Sequence, residues 1–352
     1  MFKYILKRIG ISILILVAVS IIIYFMLRLM PVKYSEIAAA AGGGTTEDNS
    51  ELIAESLGLN DNSFWGIVTG YFKWLKSLVE INPETGFFTL GKMFAGQEPV
   101  ADALVKGIPT SFFVAFVATI FEFLIAIPLG ITAATHQYSA RDYIITALVM
   151  IGISLPSFFF ASLFKALFGV EGIIDGFLTS TFGDGSFLEK ILVFPVSGGT
   201  NALGTDDGFV YLMNNMKYMV LPILTVTVLS IGGRMRMTRT EMLEVMNSDY
   251  IRTARAKGLK ESKVIYKHAF RNTLIPLVTT LAGLLPSLFS GAIITEKVFG
   301  LDGIGGIALN ATNRADIPFI MGYNMFLATL SVVGILLADI MYAVVDPRVK
   351  LK

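Results

Sequence analysis

The amino-acid sequence predicts an all-α polytopic membrane protein with six transmembrane helices and both termini on the cytoplasmic side. Three observations carry this. Of 352 residues, 54% are hydrophobic and only 16% charged, more apolar surface than a soluble domain can bury. The apolar residues fall in runs that match a hydrocarbon core about 30 Å thick. The polar segments between those runs alternate between basic and acidic character, as membrane orientation requires.

The first span is Ile9 to Leu27, nineteen uncharged residues behind Lys3, Lys7 and Arg8. A secretory leader has a shorter apolar core and a small-residue cleavage site. Arg28-Leu29-Met30-Pro31 is not such a site, so an uncleaved helix with its basic end inside is expected. Residues 1–30 form this first helix and 31–107 an external subdomain. Within the latter, Ala38 to Thr46 is low-complexity. Phe64 to Val79 holds both Trp residues. It is too short and charged to span, and reads either as an amphipathic helix at the outer interface or as a helix packed on the external subdomain.

A membrane-spanning core is expected over 108–349. Its second span is Ile108 to Thr135, with Pro109, Pro128 and one charge, Glu122, near its middle. After the short inner loop His136 to Asp142 comes the third, Tyr143 to Phe164, containing Pro156 and followed by Lys165. Residues 169–217 form an external loop. The fourth span, Tyr218 to Gly233, continues into the cytoplasm through Arg234, Arg236 and Arg239, whose long stems can reach headgroups. The inner loop 234–273 follows. Leu274 to Thr295 is the fifth span, with Pro276 and Pro286. A Gly-rich external segment, Glu296 to Asp316, precedes the sixth, Ile317 to Val345, which carries Asp339 near its inner end. Asp339 is placed to pair with a loop Arg or Lys. The inner segments hold 17 Lys/Arg against 6 Asp/Glu, and the outer segments 11 against 19.

The composition also excludes function classes. With no Cys and two His, thiolate sites, disulfides and histidine metal centres are not expected. No GxxxxGK[ST] loop occurs, so the chain should not bind nucleotide itself. No nucleophile–base set or paired carboxylates suggest a catalytic centre, and no cofactor is expected. Prolines at 128, 156, 276 and 286 can kink helices, and glycines at 130, 152, 283 and 291 permit close packing.

Two features remain. A carboxylate at mid-span costs about 2.5–3.5 kcal/mol to insert, so Glu122 must face the bundle or a water-filled path. It is either a structural hydrogen-bonding group, for which Glu122→Gln is tolerated, a contact in a substrate path, or a proton relay in a secondary transporter. The second feature is the stretch DYIRTARAKGLKESKVIYKHAFRNTLIP, residues 249–276. Tyr250 to Lys257 predicts one short helix, Gly258 a left-handed stop, and Glu261 to Asn272 a second short helix. Lipid attraction accounts for the charge of this loop. The helix–Gly–helix order, with Arg252, Arg255 and Lys257 close before Gly258, suits a knob that docks in a groove of a soluble partner.

This stretch resembles the EAA loop of ABC-importer permeases, in particular the B-type subunit of the dipeptide/oligopeptide permeases. Ala254 and Gly258 stand at that loop's alanine and glycine, Arg252 stands where other importers have an acid, and Pro276 comes later than the general pattern. The likeness extends to IPTSFF…IPLGITAA (108–134), ISLPSFF (153–159), LPILTVTV (221–228), GAIITEKVFGLDGIG (291–305), RADIP (314–318), LLADIMYAVVDPRV (336–349), LGLN (57–60) and YFKWL (71–75). Two departures are a missing Gly-Asp after Pro31 and longer loops at 31–107 and 169–217. The resemblance implies a type I ABC importer permease fold with enlarged external loops, in a bacterial cell membrane. It implies that Arg252, Ala254, Arg255, Lys257 and Gly258 couple the chain to two ATP-binding subunits that carry the ATP. It implies a C-type permease partner, an extracellular peptide-binding lipoprotein, a peptide cargo, contact with membrane lipid and no nucleic acid. Nickel as cargo, or proton coupling through Glu122, are the alternatives.

Overall fold

A computed structural model describes residues 2–28, 63–93, 98–196, 208–280, 283–314 and 316–345. The low-complexity stretch 38–46, LGLN at 57–60, part of the external loop (197–207) and the C-terminal tail lie outside these. Among the described residues the chain is helical, with strand-like pairing confined to isolated bridges such as Ile81 with Phe88.

Helix α1 is Phe2–Arg28. Helix α2, Phe64–Val79, starts at Ser63, whose side chain accepts from the Gly66 amide. Its buried residues, Gly66, Gly70, Trp74 and Leu78, recur every four positions. Trp74 and Leu78 pack with Tyr24 of α1 and with Ile317 and Met321 of the last helix. One face of α2 is therefore packed, but on the first and last spans and not on the external subdomain, while Phe64, Trp65 and Phe72 stay exposed on the other.

Helix α3, Val100–Thr135, begins eight residues before the expected second span. The extension exists because Val100, Ala103 and Leu104, one helical face, bury against Ile304 and Ala308 of the external segment. The expected third span is two helices, α4 (Ala140–Ser154) and α5 (Ser157–Phe168), bent by 103°. The break follows from Pro156, which forces Leu155 into extended backbone (φ −93°, ψ 142°) and removes a donor. Helices α6 (Ile173–Phe182) and α7 (Phe187–Leu192) fill part of the external loop.

Helix α8, Gly208–Met246, is longer than the span expected within it and runs through Arg234, Arg236 and Arg239. It pairs with α3 as the centre of the bundle. Ala126 and Ala133 of α3 pack there on Met235 of α8. Gly130 allows the approach, since a Cβ would lie 2.7 Å from Cβ of Thr238.

Beyond α8 come α9 (Asp249–Ala256), α10 (Glu261–Lys263), a π-helical segment Val264–Phe270 and α11 (Arg271–Thr280). The last three are continuous. The second short helix expected at 261–272 is thus the lower end of the fifth span, because no breaker separates Phe270 from Arg271. The expected fifth span falls on α11, α12 (Leu284–Ser290) and the start of α13 (Ile293–Phe299), with α14 (Ile304–Asn313) bent by 81° from the α12–α13 run. Helix α15, Ile317–Val345, matches the expected sixth span. Among the described residues, four helices are long and apolar enough to cross a membrane, and up to six spans result if each bent pair counts as one.

Candidate coupling site

The basic loop folds into a knob whose apolar side is anchored to two helices of the bundle. Ile251 and Ala254 of α9, with Val264 and Ala269, pack on Ile131 and Ala134 of α3 and Met242 of α8. Residues 251 and 254 are one helical turn apart, so a single face of α9 is buried and the opposite face is left for the solvent.

Helix α9 ends in a Schellman motif. The Gly258 amide donates to the Arg255 carbonyl (2.9 Å), and the Leu259 amide to the Ala254 carbonyl (3.4 Å). Gly258 has φ +72°, the left-handed conformation expected for it, and nothing lies within 4 Å of where a Cβ would stand. The glycine is needed for its backbone, not for space. Leu259 turns back onto the cluster that holds Ala254, the apolar contact that accompanies this cap.

The sequence-derived residues divide by this geometry. Ala254 is buried, 7% exposed, so it shapes the knob from within and presents no side chain. Arg252 projects outward and makes a loose 3.6 Å contact with Asp249. Arg255 forks onto Glu261 across the turn, with its Nη2 2.7 Å from Oε1. That hydrogen bond holds the Glu261 carboxyl below the usual carboxylate range. Lys257 is exposed at the cap. Arg252 and Lys257 therefore form the outward cationic face, and Arg255 staples α9 to α10. Asn272 Nδ2 donates to the Tyr250 hydroxyl at 3.3 Å, tying α9 to the root of α11.

Two of the arginines expected to reach headgroups turn inward instead. Arg234 Nε donates to Glu122 Oε1 at 2.8 Å, and its Nη1 to the Thr280 hydroxyl at 2.6 Å. Its guanidinium also lies 4.8 Å from the centre of the Phe123 ring. Arg239 makes a two-pronged contact with Asp142, 2.9 and 2.8 Å. The reason is the same in both cases: a buried carboxylate on a neighbouring helix is a stronger partner than the interface. Glu122 thus occupies a structural clamp joining α3, α8 and α11 directly above the knob. Arg236 remains exposed. Asp339 pairs with a basic residue, but with Arg8 of helix α1, 3.1 Å away, and not with a loop Arg or Lys.

Sequence reasoning missed Glu296, 2% exposed at the opposite end of the molecule. Its Oε1 accepts from the Ser111 hydroxyl (2.7 Å) and the Ala292 amide (3.1 Å), and its Oε2 from the Gly306 amide (3.0 Å). The Ser111 hydroxyl in turn accepts from the Ile304 amide at 2.8 Å. This carboxylate caps α14 from outside the helix. The available signal was the glycine spacing: a Cβ on Gly303 or Gly305 would lie 2.5 or 2.7 Å from Glu296 Oε2.

Residues 126–351 match the family described as binding-protein-dependent transport system inner membrane component, and residues 1–115 match that system's N-terminal membrane component. The oligopeptide transport system permease protein AppB of Bacillus subtilis is 31% identical over 350 residues, covering 99% of this chain and 100% of its own length. The dipeptide transport system permease protein DppB of Escherichia coli is 30% identical over 363 residues, covering 100% of both chains. A chain of a solved methionine ABC transporter in an inward-facing form aligns with TM-score 0.47 and 17% identity, over 71% of this chain and 99% of that one. With the match at 126–351 spanning well over half of its length, the chain belongs to the binding-protein-dependent transport system inner membrane component family.

Proposed function

We propose that the chain is the membrane-spanning subunit of an ATP-driven peptide importer in a bacterial cytoplasmic membrane. In this reading it forms half of the translocation path beside a homologous permease subunit. Two ATP-binding subunits bind and hydrolyse ATP below, and an extracellular binding protein delivers peptide from above. The chain holds no cofactor and catalyses no reaction of its own. The cargo class rests on the full-length relatives named as peptide permeases.

The observation that carries the mechanism is the continuity of the knob with the bundle. Residues 261–280 run without a break from the Arg255–Glu261 staple into the fifth span, and Arg234 fastens that span at Thr280. A partner that grips the outward face of α9 therefore moves α11 as part of one rigid body. Closure of an ATPase pair is transmitted through contacts of this kind. The pairing of Glu122 with Arg234 supports its structural reading over proton coupling.

Reconstitution into proteoliposomes tests the proposal. The chain with its permease partner, both ATP-binding subunits and the binding protein is expected to accumulate peptide only with internal or external ATP on the ATPase side. Uptake by the chain alone under a proton gradient would overturn it.

A further inference from the structure

Two broken spans meet beside α8. The α4–α5 bend sits at Leu155-Pro156, and Gly291, with φ +70°, separates α12 from α13. Gly291 fixes its break, since a Cβ there would stand 2.5 Å from the Gly305 amide nitrogen. Between the two breaks lies an open pocket of about 350 Å³. Val226, Leu229 and Ile294 give it aliphatic walls, and Ser157, Ser230 and Thr295 give it hydroxyls. None of its lining residues is charged, and the Glu296 carboxylate lies behind Gly291 and Ala292, accepting from the Ala292 amide. Thr295 is 3% exposed and borders the cavity.

Backbone that leaves a helix at membrane depth is not exposed to lipid, because unsatisfied amides and carbonyls there cost several kcal/mol each; it is buried in protein or lines a water-filled space. Secondary transporters place substrate sites at such discontinuities, and the same backbone chemistry is available here. Gly291 and Ala292 of one break line this pocket, and Ser157 brings the other break to it. Its volume lies near the lower end of the range for small-molecule sites, about 300–1,000 Å³, so it holds part of a peptide and not a whole one. Aliphatic walls with a few neutral hydroxyls suit an uncharged side chain and oppose a charged one, since the carboxylate behind them, Glu296, is already taken up by Ser111 and the Ala292 and Gly306 amides.

We propose that the cavity bounded by Val226, Leu229, Ile294, Ser157, Ser230 and Thr295 is a cargo subsite that receives an uncharged aliphatic side chain of the transported peptide. The proposal rests on the peptide-importer reading above and adds where, and for which chemistry, this subunit contacts its cargo. An acyl chain or a side chain of the second permease subunit are the competing occupants.

The absence of Cys from this chain makes the test direct. In the complete importer, assembled in nanodiscs with cysteine-free partners, Ser230→Cys is labelled with a small uncharged methanethiosulfonate. The expected result is labelling that a leucine-rich transported peptide slows about threefold or more and an all-glycine peptide does not. No labelling, or labelling indifferent to peptide, would mean that lipid or the partner subunit fills the space and would overturn the proposal. Uptake gives a second readout. Ser230→Leu, which fills the cavity, should cut uptake of leucine-containing peptides about tenfold relative to glycine peptides, the scale of one lost aliphatic burial. Ile294→Ala, which enlarges it, should shift preference toward larger side chains. Co-purification of all subunits confirms assembly of each variant. Normal uptake with unchanged selectivity in both variants would overturn this proposal alone. A wild-type importer that takes up no peptide would overturn the functional reading and this subsite with it.

Discussion

Gly258 is the residue on which the knob turns. Its φ of +72° costs a residue with Cβ about 1–2 kcal/mol, and more for a β-branched one, although no neighbour obstructs the side chain. Gly258→Val is expected to insert normally and to lose ATP-driven uptake, with Gly258→Asn closer to wild type; paired ATPase and uptake assays separate the two effects. Glu122 and Arg234 form a second residue-scale test. Glu122→Gln retains an acceptor for Arg234, so transport should persist with a modest loss of thermal stability. Arg234→Met leaves Glu122 without its partner and should cost more, about 3–5 kcal/mol by analogy with broken buried pairs. The double variant should recover much of that loss in thermal unfolding of the purified protein. Equal effects of the two single changes would contradict the clamp. The sequence disclosed Glu122 as a charge in need of a partner. Naming that partner required knowing which turn of α8 passes it.

At the scale of elements, the Arg255–Glu261 staple has a defined pH signature. The Glu261 carboxyl is held below its ordinary range by Arg255, so its stabilisation is present above the unfolded carboxylate value, about 4.3, and is lost as pH falls through the lower folded value. Between pH 8 and 5 the turn should be insensitive to pH. Both groups are substantially solvent-exposed, so Glu261→Gln should cost no more than about 1 kcal/mol. Faster amide exchange at residues 255–262 in that variant at neutral pH is the expected readout. The external cap differs in kind. Glu296→Ala would strand the Ala292 and Gly306 amides and the Ser111 hydroxyl in a buried site, at about 1–3 kcal/mol for each unsatisfied group. A clear fall in melting temperature, with Glu296→Gln intermediate, is expected. Periodicity and capping residues made α9, α15 and the left-handed stop at Gly258 legible. They did not reveal that α10 continues into α11, since a loop helix and a span helix share one pattern where they join.

For the whole molecule, the arrangement is a lever. The knob lies below α3 and α8, the Glu122–Arg234–Thr280 clamp lies above it, and broken spans stand beyond. Purified alone, the chain should hydrolyse no ATP. Its outward residues Arg252 and Lys257 offer trypsin two sites that the ATP-binding subunits should shield. Limited proteolysis with and without those subunits reads this directly, and unchanged cleavage would place their contact elsewhere.

Hydropathy and charge bias are sums over residues, so the sequence by itself determined the membrane class, the orientation, the approximate spans and the position of the basic knob. Local backbone chemistry, in Gly258 and Pro156, also marked where helices stop. What only the tertiary structure decided were the pairings between distant elements: Glu122 with Arg234, Asp142 with Arg239, and Glu296 with Ser111 and the start of α14. A charge states in the sequence that a partner must exist. The choice among several arginines and amides depends on helix rotation and crossing, which are set by small-residue contacts such as Gly130 against Thr238 and by breaks at Pro156 and Gly291. Those are properties of packed helices in three dimensions, and no single segment contains them.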